Sequence, residues 1–168
     1  ALAATVLPLV CVSLALAHPH HGGTTAAGSS GLAAGFLHPL LGIDHVLAMF
    51  AVGLLGVQLG GRARWLLPAG FLAAMIAGGG LAAAGLELPL VEMAIALSVV
   101  VLGAALAAGP SLLARFWGRY PLAVATPVAA LFALFSGHAH GTEMPAMAAM
   151  WLYAAGFVAG TILLLAAG

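Results

Sequence analysis

The sequence predicts an all-α protein, a polytopic bundle of transmembrane helices with about five spans after an N-terminal signal segment. Two observations of composition lead there. Only 5% of its 168 residues are charged and none is lysine, whereas a soluble domain carries about 25% charge. Hydrophobic residues make up 64% of the chain and the mean hydropathy is +1.21, so it could not cover a water-exposed surface. The third observation is the pattern. Apolar stretches run unbroken for about 17–25 residues, long enough for helices to cross a hydrocarbon core of about 30 Å. Strands of a membrane barrel would instead alternate polar and apolar over about ten residues.

Taken in order, residues 1–17 read as the apolar core of a secretory signal ending Ala15-Leu16-Ala17, a small-x-small pattern before a cleavage point. Cleavage would leave His18 at the mature N-terminus; the alternative is an uncleaved first helix. Cys11 is the single cysteine, so no intrachain disulfide and no cysteine-rich metal site can form. Residues 18–31 form a His- and Gly-rich flexible linker, and 32–168 the transmembrane domain. Its apolar segments fall at roughly 32–60, 65–86, 89–109, 121–141 and 144–167. The first is interrupted by Pro39 and Gly42. Proline disfavours helix at His38 and starts a new helix behind it, which predicts a short re-entrant or tilted piece over 32–37 and the true span over 40–60. Gly56-x-x-x-Gly60 and Gly78-Gly79-Gly80 let backbones approach closely.

Charge orients the spans. Arg62 and Arg64 follow the first span, Arg115 and Arg119 the third, and positive charge marks those loops as cytoplasmic. Asp44, Glu87, Glu92 and Glu143 all fall in the outer half. So do the two clusters that carry chemistry, at the start of the first span and the end of the fourth. Four basic residues in two short loops give no nucleic-acid surface. The expected partners are the lipid bilayer and a metal ion, with a homo-oligomer left open.

The clusters are His38-Pro39-Leu40-Leu41-Gly42-Ile43-Asp44-His45 and Gly137-His138-Ala139-His140-Gly141-Thr142-Glu143. An ionisable group at membrane depth costs about 2.5–3.5 kcal/mol by insertion scales, so two clusters of them imply something polar bound or moved. His38 and His45 are about 10 Å apart on a straight helix at 1.5 Å per residue. One ion reaches both only if the backbone bends at Pro39 or Gly42. Asp44 can ligate, or accept a proton from a ligand histidine and fix its tautomer. Met49, four residues after His45, offers a thioether on the same face. His140 and Glu143 are three apart, a helical carboxylate–histidine pair of metal-binding type. His138 points elsewhere on a regular helix unless Gly137 and Gly141 allow an irregular turn.

His38, Asp44, His45, His138, His140 and Glu143 thus offer nitrogen and oxygen donors without thiolate, suited to divalent nickel, cobalt, copper or zinc. Against this stand structural hydrogen bonding between helices and a metal-free proton relay. Glu92, in a first helical turn, is either a cap or a site member. His18 and His20 are either a metal-capture arm or an ordinary polar tail. Glu87 reads as a solvated loop residue, and Ser98 as bonded to its own helix backbone.

On these residues the chain resembles the HupE/UreJ family of small nickel and cobalt permeases, over roughly 15–167. The resemblance is carried by His38-Pro39-x-x-Gly42-x-Asp44-His45 with Leu47-Ala48-Met49, and by His138-x-His140-Gly141-x-Glu143-x-Pro145. Weaker support comes from Arg62 through Pro68, Leu88-Pro89-x-x-Glu92 and Tyr153-x-x-Gly156-Phe157. It implies nickel uptake for hydrogenase or urease assembly, a cleaved signal and about six helices. One departure is Leu163-Leu164-Leu165, where family members carry a histidine.

The expected function is therefore a bacterial inner-membrane transition-metal permease, not an enzyme. It would take nickel, or cobalt, at an outward His/Asp/Glu site between the first and fourth spans. The alternatives are a metal receptor or accessory protein without transport, and a metal-dependent intramembrane hydrolase.

Overall fold

A computed structural model describes residues 31–118, 121–144 and 150–168. The expected signal segment, His18, His20, nearly all of the expected linker, Arg119 and Pro145 lie outside the described residues. Among the described residues six helices follow one another: α1 (Gly31–Leu41), α2 (Ile43–Leu59), α3 (Ala63–Ala83), α4 (Val91–Trp117), α5 (Pro121–Thr142) and α6 (Met150–Ala167). Four of them are long and apolar enough to cross a membrane, and α1 with α2 adds a fifth if the bent pair counts as one span. The chain is an all-α, multi-pass membrane protein, as its hydropathy requires.

The first span breaks in a different place from the one Pro39 predicts. Helix α1 continues through Pro39 to Leu41, and the axis then turns by 82° into α2 at Gly42. A proline removes one i−4 hydrogen bond, which a helix packed against neighbours can absorb. Gly42 is extended instead (φ −90°, ψ 112°), and its carbonyl accepts the first hydrogen bond of α2 from the Val46 amide at 3.0 Å.

Two helix pairs form the scaffold. Helices α3 and α5 run parallel in close contact: Gly70 faces Thr126, and Gly78 faces the Leu134 carbonyl and the His138 amide nitrogen. A methyl group at Gly137 would overlap the Met75 carbonyl, so this pair is a backbone-to-backbone interface that admits only glycine at the crossing. Helix α1 crosses α6 in the same manner, with Gly156 against the Leu32 carbonyl and Gly35 against that of Tyr153. Gly56 also makes a close approach, to Ala63 and Arg64, whereas Gly60 has nothing nearby and serves the turn after α2. The shared apolar core includes Met49, Val52, Leu55, Leu67, Phe71 and Met75, all 1% exposed or less.

The turns obey local rules. Helix α3 ends in a Schellman motif, with the Leu86 amide bonded to the Leu81 carbonyl, the Gly85 amide to that of Ala82, and Gly85 at φ 76°. The third span ends at Gly109, as its hydropathy predicts, but the chain resumes helix at once. Gly109 takes φ 74°, ψ 165°, a conformation open to glycine, and Pro110 follows. Proline has no amide hydrogen, so the Leu106 carbonyl four residues earlier loses its helical donor. Gln58 of α2 supplies a replacement, its Nε2 donating to that carbonyl at 3.0 Å. Ser98 donates to the Ile95 carbonyl of its own helix at 2.6 Å, as expected.

Candidate metal site

The bend at Gly42 makes the site. It swings the start of α2 beneath the end of α1, so His38 and His45 come to lie on two sides of a third imidazole, that of His140 from α5. Ring centroids are 4.9 Å apart for His38 and His140, and 4.3 Å for His45 and His140. Glu143 completes the group from the turn after α5, its Oε2 lying 3.0 Å from His38 Nε2. His38, His140 and Glu143 each offer a donor atom within 4.8 Å of the others. Donors on opposite sides of an ion at about 2.1 Å are about 4.2 Å apart, so a shift of under about 1 Å closes the three on one ion.

Asp44 and His45 form a tighter unit. Asp44 Oδ1 accepts from the His45 backbone amide at 2.9 Å and from its ring Nδ1 at 2.8 Å. Both residues are buried, at 3% and 6% exposure. A carboxylate survives there because it sits in the first turn of α2, where amides are unsatisfied and the helix dipole is positive. Since an ionised carboxylate only accepts, Nδ1 carries the hydrogen and Nε2 the lone pair. That Nε2 is buried without a hydrogen-bond partner. An imidazole with one nitrogen tied to a carboxylate and the other bare is the usual form of a metal ligand. Gly42 permits this pairing, since a methyl there would come within 2.9 Å of His45 Nδ1 and 3.1 Å of Asp44 Oδ1.

His138 does not join. Helix α5 stays regular through Thr142, so the irregular turn that would have brought it round is absent. Two residues from His140, its ring points the other way, and Nε2 lies 2.7 Å from the Leu86 carbonyl just past the end of α3. That is a structural hydrogen bond holding the α3–α4 turn against α5. Met49 is fully buried one turn after His45. Glu92 is exposed in the first turn of α4, outside the gathered group. Glu87 is exposed, as expected of a loop residue.

Sequence reading gave too little weight to α6. Phe157 packs on His140 at 4.5 Å, and Tyr153 lies edge-on to His38 at 5.6 Å. The Tyr153 hydroxyl is buried without a hydrogen-bond partner. The signal was present in the spacing: Tyr153 and Phe157 are four apart and share one helix face. Beside His140, between α3, α5 and α6, opens a cavity of about 480 Å³ lined by Met75, Met144, Met150 and apolar carbon. The imidazole cluster is thus walled by hydrocarbon and thioether, where an ion would exchange ligands with little competition from water.

Comparison with known proteins agrees with the resemblance. Residues 5–168 match the family described as HupE / UreJ protein. The chain is similar to Protein HupE of Rhizobium leguminosarum bv. viciae, 43% identical over 163 residues, which cover 97% of this chain and 76% of that protein. No solved structure matches. A match over nearly the whole length, with that identity to a named relative, places the chain in the HupE/UreJ family.

Proposed function

We propose that this chain is a permease of the bacterial inner membrane that takes up a divalent transition metal, nickel first and cobalt second. In this reading residues 32–168 are the metal-permease domain. His38, His45, His140 and Glu143 hold the ion, Asp44 fixes the tautomer of His45, and His138 braces the fold. The protein acts as a carrier and not as an enzyme. The observation that carries the reading is the bare, buried Nε2 of His45 beside His140, with its Nδ1 already bound to a carboxylate. A bare nitrogen alone is not enough, since His138 also leaves its Nδ1 buried without a partner; His45 differs in having a carboxylate behind it and a second imidazole beside it. Nitrogen and oxygen donors without thiolate suit nickel and cobalt as well as zinc and copper. Family membership supports the first two, as the resemblance implies.

The metal site opens toward the periplasm in this reading. Arg62 and Arg64 stand at the far end of α2, and Arg115 at the far end of α4, so the positive-inside rule turns the site outward. A receptor without flux is the second reading. It is favoured by one feature, the wholly apolar layer of Val52, Leu55 and Leu67 inward of the site.

Radioactive nickel uptake into proteoliposomes, measured beside equilibrium binding in detergent, tests the proposal. The wild-type protein should bind one ion and accumulate it. His45→Ala and His140→Ala should each abolish both. Binding without accumulation would favour the receptor, and unaltered binding in both variants would remove the site.

A further inference from the structure

Tyr153 lies in the first turn of α6. Tyrosine and tryptophan are common at the ends of membrane spans, where the ring sits in the interface and the polar tip stays wet. Trp151 behaves in that way, with 78% exposure. Tyr153 does not. It is 5% exposed, and its hydroxyl is buried with no hydrogen-bond partner among the described residues. Phenylalanine would fill the same space without leaving a polar atom unsatisfied. The hydroxyl therefore has a role that packing does not explain.

Its surroundings say which. Gly35 of α1 meets the Tyr153 carbonyl where the two helices cross, and His38 follows Gly35 by about one turn. The Tyr153 ring stands edge-on to that of His38, with centroids 5.6 Å apart. His38 Nε2 in turn lies 3.0 Å from Glu143 Oε2, and the charge of Glu143 is felt at the Tyr153 hydroxyl. Tyr153 also lines the cavity of about 480 Å³ beside His140, a space far larger than one water needs.

We propose that Tyr153 Oη holds a water on the bound ion, accepting a hydrogen bond from it, and so adds one ligand to the donors of His38, His45, His140 and Glu143. This rests on the metal site of the reading above, whether the protein carries the ion or only receives it. A metal-bound water turns its oxygen to the ion and its hydrogens outward, so the phenol oxygen meets it as an acceptor. The bridge spans about 5 Å from ion to hydroxyl, with about 2.1 Å of metal–oxygen bond and about 2.8 Å of hydrogen bond, the scale of the ring separations in this cluster. The added ligand bears on the choice of metal. Zinc is satisfied by a closed tetrahedron of protein donors, whereas nickel favours square or tetragonal arrangements that take a further ligand. Tyr153 is thus a positioning residue that favours nickel over zinc.

The test compares wild type with Tyr153→Phe in detergent, titrating nickel and zinc separately and recording the visible absorption of bound cobalt(II). Tyr153→Phe should weaken nickel about tenfold, the worth of one charge-assisted hydrogen bond, while zinc stays within about twofold. Its cobalt bands should intensify, because a tetrahedral cobalt ion absorbs more strongly than one with additional ligands. Its thermal midpoint without metal should equal or exceed that of wild type, since an unsatisfied group has gone. Unchanged nickel affinity or an unchanged cobalt spectrum would overturn the proposal. So would equal losses of nickel and zinc, which would mark the hydroxyl as part of the packing alone. Nickel-edge X-ray absorption on the wild type makes the test without any variant. It should find more nitrogen and oxygen neighbours than the protein's own donors supply, and no more than those would sink the water. A wild-type protein that binds no nickel would instead defeat the metal site itself, and this water with it.

Discussion

At the scale of single residues, the two histidines of the α5 motif have opposite fates for a simple reason. On a regular helix, positions two apart point in widely different directions, so His140 enters the imidazole cluster while His138 turns to the Leu86 carbonyl. Their substitutions should therefore separate. His138→Ala should retain nickel binding but lose about 0.5–1.5 kcal/mol of stability, because the hydrogen bond that ties the Leu86 carbonyl to α5 is gone. Thermal unfolding in detergent beside a binding isotherm checks this. Asp44 acts through His45. Asp44→Asn should weaken nickel about 10–100-fold, the usual cost of disturbing the carboxylate behind a ligand imidazole, without preventing assembly. Isothermal titration on the purified variant measures it.

At the scale of elements, the two breaks in the spans follow different physics. The turn at Gly42 is an 82° redirection that begins a new helix, and the one at Gly109 a kink inside a nearly continuous α4. The second leaves the Leu106 carbonyl without its helical donor, and Gln58 supplies one across the α2–α4 interface. Gln58→Leu should accordingly cost about 0.5–1.5 kcal/mol, the net worth of a half-buried hydrogen bond. Nickel affinity should stay unchanged, since Gln58 is nine residues inward of Met49. A denaturant or thermal melt alongside metal binding distinguishes this from damage to the site.

At the scale of the whole molecule, the site depends on how two groups of helices meet. Helices α3 and α5 present His140, while α1, α2 and α6 present His38, His45 and Phe157. The α3–α5 pair is held by glycines at van der Waals limits, so Gly137→Val should force the backbones apart, and overpacking typically costs about 1–3 kcal/mol. Because Gly137 is three residues from His140, nickel binding should fall together with the melting temperature, unlike in Gln58→Leu. A paired measurement of the two properties in both variants tests whether metal affinity tracks the spacing of this pair.

Hydropathy and residue type by themselves determined the fold class and the approximate spans, and they singled out most of the residues of the proposed donor set. Those properties depend on local composition and on helical period, which a chain carries in its order of residues. The break after Leu41 was foreseen only in kind. Pro39 is the stronger local signal, yet packing against α6 absorbs its lost hydrogen bond, and the extended conformation falls to Gly42, where a side chain would collide with Asp44 and His45. Tertiary structure alone decided that His140 lies between two rings of another segment, that the His138 ring turns to the Leu86 carbonyl, and that Phe157 packs on His140. Each is a relation between helices far apart in sequence, fixed by backbone contacts at glycines whose partners no single segment specifies.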